Sequence, residues 1–219
     1  MTNVQVLIFY YRIQQALQWW HYRQSIKLFL EAEKIRDELL QEIFTIRCNL
    51  YLLKLENMSI SSDKTQKYLD KIDNLHHSLV QLSDRLFPPF LQDSLPLAIQ
   101  CLLERWLVSN PHIHFQSDMP LDWRYEPLER GLIVLMSLEE LLTIILSEIL
   151  ASVSIYFSLK QKENVGELKV QINYPDVSTF VFNSHIPEFK HLCETFRFLT
   201  SGKCLYRTQE LRVTWYFIW

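Results

Sequence analysis

Residues 28–53 read LFLEAEKIRDELLQEIFTIRCNLYLL. Within them Leu28, Ala32, Ile35, Leu39, Ile43, Ile46, Leu50 and Leu53 are spaced by threes and fours, which places them on one stripe of an α-helix. The rhythm returns downstream at Leu69, Ile72, Leu75, Leu79, Leu82 and Leu86. Between the two stripes lies Asn57-Met58-Ser59-Ile60-Ser61-Ser62-Asp63, whose polar side chains favour turns and helix caps. Residues 1–87 contain neither glycine nor proline, while all 8 prolines and all 3 glycines lie from Pro88 onward. Glycine and proline are the strongest helix interrupters, so the first 87 residues are predicted to be almost wholly helical and folded as a long hairpin. Leu40, Phe44, Tyr51 and Leu52 add apolar surface beside the main seam, more than a hairpin can cover alone. A second copy completing a dimeric four-helix bundle is the expected partner, with coverage by the C-terminal part of the chain as the alternative.

The texture changes at Pro88-Pro89, and with Pro96 these flank a short helix predicted over 97–108. His112-Ile113-His114-Phe115-Gln116 alternates as a strand does, and 126–150 reads as a strongly apolar helix. Strands are predicted at 168–174, 177–183, 203–206 and 212–218, with a helix over 187–200. The expected class is therefore α+β, with helices on one face of a mostly antiparallel sheet. Two domains follow, residues 1–87 and 88–219.

Composition removes several function classes. With 48% hydrophobic, 13% aromatic and 21% charged residues, the 219-residue chain can bury a core and is neither a disordered tail nor a disulfide scaffold. A net charge of −3 and a pI near 6.2 argue against direct nucleic-acid binding, which wants a basic face. The longest apolar run, 131–150, is broken by Glu139, Glu140 and Glu148, so no transmembrane segment is expected. The first residues lack a basic, cleavable leader, and the expected location is the cytoplasm. Cys48, Cys101, Cys193 and Cys204 form no paired motif and read as buried thiols.

Arg36-Asp37-Glu38-Leu39-Leu40-Gln41, continued by Glu42-Ile43-Phe44-Thr45-Ile46-Arg47, lies on the first seam. Leu86-Phe87-Pro88-Pro89 and Leu95-Pro96-Leu97-Ala98-Ile99 open the second part, and Ser137-Leu138-Glu139-Glu140-Leu141-Leu142-Thr143-Ile144 lies on its apolar helix. In this order the motifs resemble a sensor histidine kinase transmitter over roughly residues 25–219: a dimerising hairpin carrying His-Asp-x-x-x-Gln, then a GHKL-type ATPase domain. The resemblance implies a phosphoacceptor at position 36, where this chain has Arg36. A guanidinium has no free lone pair with which to attack a phosphoryl group. It also implies an acidic residue, matched by Glu140, and a magnesium-binding asparagine, replaced by Ile144, whose aliphatic side chain offers a hard cation no oxygen. Asp176 stands near the place of the adenine-contacting aspartate. Its surroundings lack the glycines that let backbone amides approach phosphates. The nucleotide site, Glu140, Ile144 and Asp176, is thus read as degenerate, and no cofactor is expected.

Other constellations carry less. His76-His77 lies on the second hairpin helix, where at most one of two adjacent residues faces the seam; this pair is the alternative phosphoacceptor. His21 lies beside Trp19-Trp20, where an aromatic contact is expected. His185, His191 and Cys193 are metal-ligating types without an evident fourth ligand, and no metal site is expected. The apolar, aromatic stretch 4–11, with Trp19, Trp20 and Tyr22, reads as a contact surface for the dimer seam or a partner.

The reading that follows is a pseudo-histidine kinase without enzymatic activity. It is expected to dimerise and to dock a response-regulator receiver or transcription-regulator protein through Arg36, Asp37, Leu40, Gln41 and Arg47, without binding ATP. The alternatives are an ATP-independent histidine phosphotransferase and a structural assembly subunit.

Overall fold

A computed structural model of the chain describes residues 3–35, 39–55, 62–86, 88, 90–146, 153–177, 180 and 186–219. The stretch free of glycine and proline forms three helices, α1 (Asn3–Lys34), α2 (Leu40–Leu55) and α3 (Ser62–Leu86). The expected first seam helix is therefore shared between α1 and α2, and residues 36–38 lie outside the described residues. Beyond them α4 (Leu95–Ser109) starts where Ser94 Oγ accepts the Leu97 amide at 3.4 Å and Pro96 sits in the first turn. Proline fits there because its missing N–H would have no partner inside the helix.

The rest follows as β1 (His114–Asp118), α5 (Leu128–Leu146), β2 (Ser154–Lys162), β3 (Val165–Asn173), α6 (Glu188–Thr200), β4 (Lys203–Gln209) and β5 (Arg212–Ile218). The five strands make one sheet in the order β1-β2-β3-β5-β4, parallel only between β1 and β2. The α+β expectation, helices with a mostly antiparallel sheet, holds. Two local expectations do not. Val177 and Phe180 are helical, the Phe180 amide donating to the Asp176 carbonyl at 3.2 Å, where a strand over 177–183 was expected. Strand β2 was not anticipated, although Val153, Ile155, Phe157 and Leu159 alternate along it and are buried. The apolar helix pattern immediately upstream obscured the change of period from about 3.6 to 2.

Strand register explains the core. Phe157, Val170 and Trp215 lie opposite one another, as do Ile155, Ile172 and Val213, and Leu159, Leu168 and Phe217. All are buried, because side chains two apart on paired strands share a face. Phe189 of α6 meets Trp215 at 4.7 Å between ring centroids and Phe196 meets Phe217 at 5.0 Å. These residues join the buried faces of α4 and α5 in one cluster. The opposite sheet face is half-exposed and polar, with Lys169 Nζ 5.8 Å from the Tyr156 ring centroid.

The chain divides into two compact units, residues 1–21 with 89–219, and residues 22–88. The sequence reading placed the whole of 1–87 in the hairpin; the structure assigns the first 21 residues to the sheet unit. Ala16 is buried there, Thr195 Oγ1 donates to its carbonyl at 3.1 Å, and Arg12 pairs with Glu194. In the helical unit Leu39 and Ile46 are buried, but Leu28, Ile43, Leu50, Leu69, Ile72 and Leu79 remain 42–62% exposed.

Candidate functional site

On the helical unit, Arg36 and Asp37 lie outside the described residues. Leu40, Gln41 and Arg47 are all exposed on α2, where Thr45 Oγ1 donates to the Gln41 carbonyl at 2.9 Å. Leu40, Phe44, Arg47 and Tyr51 recur at helical spacing and share one exposed face. Phe44 and Tyr51 were assigned to the seam flank on sequence grounds; their spacing to Leu40 and Arg47 was the available signal for including them. An aliphatic, two aromatic and one cationic side chain together can bury apolar area and engage an acidic partner surface.

His76 and His77 are exposed on α3, with their rings edge to face at 6.2 Å. His77 Nδ1 lies 2.8 Å from the Asp73 carbonyl oxygen. A carbonyl can only accept, so Nδ1 is the donor in this contact, and the neutral form of the ring carries its lone pair on Nε2. His21 is exposed, and the aromatic contacts of Trp19 run to Trp20 at 6.2 Å and to His191 at 5.8 Å instead.

In the sheet unit, Glu140 and Ile144 lie one turn apart on α5 and both are buried. Asp176 is exposed beyond the end of β3. Just before it Tyr174 is buried against Phe180, its amide donates to the Leu211 carbonyl at 2.9 Å, and burial pushes its hydroxyl pKa up. Ile144 contributes hydrocarbon to the core, not an oxygen to a cation. Two of the three glycines are required by close packing. A Cβ on Gly166 would lie 2.7 Å from Trp219 Cε2, and one on Gly202 would lie 2.2 Å from the Ile218 carbonyl oxygen. Neither has positive φ. Both meet a neighbouring strand end, leaving no glycine-rich cradle among the described residues.

A cavity of about 510 Å³ opens between the α1 end of this unit, α6 and β4, and its lining includes Arg12, Lys190, Cys193, Glu194, Arg197 and Cys204. Sequence reasoning missed it because α1 was placed elsewhere. Arg197 Nη2 donates to the Cys204 carbonyl at 2.5 Å. Cys204 is held protonated chiefly by burial, then by its hydrogen bond to Cys193 and that residue's charge, with Arg197 opposing. Among the described residues no three His, Cys, Asp or Glu gather as metal ligands, and no helix is long and apolar enough to cross a membrane. His185 lies outside the described residues.

No family model matches the chain, and no curated protein matches it. Among solved structures it resembles the histidine kinase domain of the blue-light-activated kinase of Erythrobacter litoralis EL346, at 12% identity over 89% of this chain and 94% of that one, with a TM-score of 0.44. It is similar to the histidine kinase ThkA in complex with the response regulator TrrA, at 14% identity, 90% and 63% coverage and a TM-score of 0.43. The histidine kinase AdeS of Acinetobacter baumannii matches at 12% identity, 83% and 95% coverage and a TM-score of 0.40. The resemblance to histidine kinase transmitters is thus met among solved structures. These likenesses correct one expectation: the chain was read as having no enzymatic activity, and the structures it resembles are those of kinases, which are enzymes.

Proposed function

We propose that this chain is a two-component-type signalling protein that pairs with a second copy through α2 and α3 and docks a response-regulator receiver on the exposed face of α2. The observation that carries the pairing is the half-exposed seam: Ile43, Leu50, Leu69, Ile72 and Leu79 keep 42–48% of their surface, while among the described residues of this unit the buried hydrophobics are Leu39 and Ile46. An amphipathic stripe of this width is stable in water when another helix covers it. The docking face comprises Leu40, Gln41, Phe44, Arg47 and Tyr51, with Arg36 and Asp37 preceding them in sequence. Magnesium nucleotide has no part in this reading, since Ile144 supplies no oxygen ligand.

Sedimentation equilibrium of the intact chain tests the pairing. A dimer is expected, and monomer in Ile72→Glu/Leu79→Glu; a monomeric wild type overturns it. For the docking, receiver domains of the response regulators from the same genome are titrated against immobilised protein. At least one is expected to bind, with affinity about tenfold weaker in Arg36→Glu/Gln41→Glu. Binding by none, or equal binding to both forms, overturns the face.

A second reading has its own observation. The His77 Nδ1 contact with the Asp73 carbonyl presents Nε2 as a nucleophile at the helix surface. Nε2 would attack the phosphorus of a receiver aspartyl phosphate, releasing the carboxylate and taking the phosphoryl group. Mixing the chain with acetyl-phosphate-charged receiver then yields acid-labile phosphate on the chain, retained in His76→Ala and lost in His77→Ala. Label unaffected by His77→Ala rejects it.

A further inference from the structure

The cavity beside α6 lies apart from the nucleotide corner. Its described lining comes from Arg12 of α1, from α6 and the residues just before it, and from β4, and includes none of Glu140, Ile144 and Asp176. Its volume of about 510 Å³ falls within the roughly 300–1,000 Å³ of small-molecule sites. Arg12, Lys190 and Arg197 face a single carboxylate there, that of Glu194, so three cations against one anion leave two positive charges uncompensated.

The arrangement of these charges is more telling than their number. Glu194 is buried and engaged by Arg12, and among the described residues neither Lys190 nor Arg197 has a carboxylate within ion-pair distance. Arg197 Nη2 donates instead to the Cys204 carbonyl at 2.5 Å, a neutral acceptor that fixes the guanidinium and leaves its charge standing. Arg12 adds a more specific sign, because its Nε is buried and has no hydrogen-bond partner. A buried donor without an acceptor is costly, and more so on a charged group. An oxyanion in the cavity would supply that acceptor, since a guanidinium suits the oxygens of carboxylate and phosphate.

The walls are of another kind. Phe189 is buried and Tyr206 half-exposed, and their rings lie 4.7 and 4.6 Å from that of Trp215. Both line the cavity, which therefore joins aromatic surface seated on the core to a cationic rim. A bare inorganic ion uses only the rim, and a neutral aromatic molecule only the walls. We propose that this cavity binds a small organic phosphate, its phosphoryl oxygens meeting Arg12, Lys190 and Arg197 and its flat apolar body lying against Phe189 and Tyr206. Two uncompensated charges select phosphate over carboxylate, because a phosphate monoester carries about −1.5 to −2 at pH 7 and a carboxylate a single charge. The site belongs to the sheet unit alone and stands whether or not the chain pairs or docks a receiver.

Phenyl phosphate is the probe, titrated by calorimetry into the full-length chain without divalent cations. Saturable binding with Kd below about 1 mM is expected, with inorganic phosphate and phenol each at least about tenfold weaker. Lys190→Glu, at an exposed position, should weaken phenyl phosphate about tenfold, whereas Lys160→Glu, equally exposed on β2, should leave its affinity unchanged. Arg12→Gln/Glu194→Gln exchanges the charged pair for an amide pair and should also weaken binding about tenfold. If that double variant does not fold, the contrast between Lys190→Glu and Lys160→Glu decides alone. The site is overturned by absence of heat at millimolar probe, by inorganic phosphate or phenol binding as tightly as phenyl phosphate, or by an affinity that Lys190→Glu leaves untouched. Equal weakening by Lys160→Glu overturns it too, since the effect then belongs to net charge and not to the cavity.

Discussion

The two units handle the same raw material in opposite ways. The sheet unit turns its apolar residues inward in aligned rows, so that Phe157, Val170 and Trp215 are essentially inaccessible. The helical unit is as apolar along its stripes, yet Leu69, Ile72 and Leu79 keep nearly half their surface. A sheet with helices on one face closes its own core, because strand pairing brings distant segments together. A pair of helices has one seam to share and leaves the remainder for another surface. The rows of the sheet close inside the chain, whereas the described seam residues of the helical unit stay half exposed.

The contrast can be measured separately in each unit, because all 6 tryptophans lie in residues 1–21 and 89–219. Tryptophan fluorescence therefore reports the sheet unit. The largest expected effect is Trp215→Ala, which empties the centre of a core row and should cost about 3–5 kcal/mol in urea unfolding followed by fluorescence. A loss below about 1 kcal/mol would mean that the rows are not the core's main support. Next comes Gly166→Val, whose added atoms collide with Trp219 and should cost about 1–3 kcal/mol in the same assay. Full stability there would show the strand end to be more yielding than its packing implies.

Ile72→Glu/Leu79→Glu should leave the fluorescence transition within about 0.5 kcal/mol of wild type while halving the mass in sedimentation. A large shift of the fluorescence transition would tie the units together energetically and break the comparison. The smallest expected effect is alkaline. Burial raises the Cys204 thiol above its ordinary 9.0. The folded chain therefore keeps a proton that the unfolded chain has lost, and stability is full below about pH 9 and declines above it. Cys204→Ala should flatten that decline in fluorescence-monitored melts; an unchanged slope would assign it to other groups, beginning with Tyr174, which burial shifts the same way.

Much of the fold was legible because its signals are local. The absence of breakers before Pro88, the three-and-four spacing of the seams and the alternation at His112–Gln116, which falls two residues ahead of β1 (His114–Asp118), each need only a short window. The unanticipated β2 also alternates, but it follows a long apolar helix pattern that masked its start. Of the proposed docking face, Leu40, Gln41 and Arg47 were named from the sequence and are exposed on α2, whereas Phe44 and Tyr51 were assigned to the flank of the seam because spacing cannot say which stripe a neighbour will cover. The chemistry of Ile144 was readable from its type alone, whereas the close packing of Gly166 and Gly202 depends on Trp219 and Ile218, farther along the chain.

By itself the sequence determined the class, helices with a mostly antiparallel sheet, and the place of many of its elements, since these follow from backbone propensity and side-chain type. Only the tertiary structure decided that residues 1–21 belong with the sheet, that Ala16 meets Thr195 across 179 positions, and that Cys193 and Cys204 line one cavity with Arg12, Lys190 and Arg197. Such pairings are selected by the burial gained when whole elements dock, a quantity that no short window of residues contains.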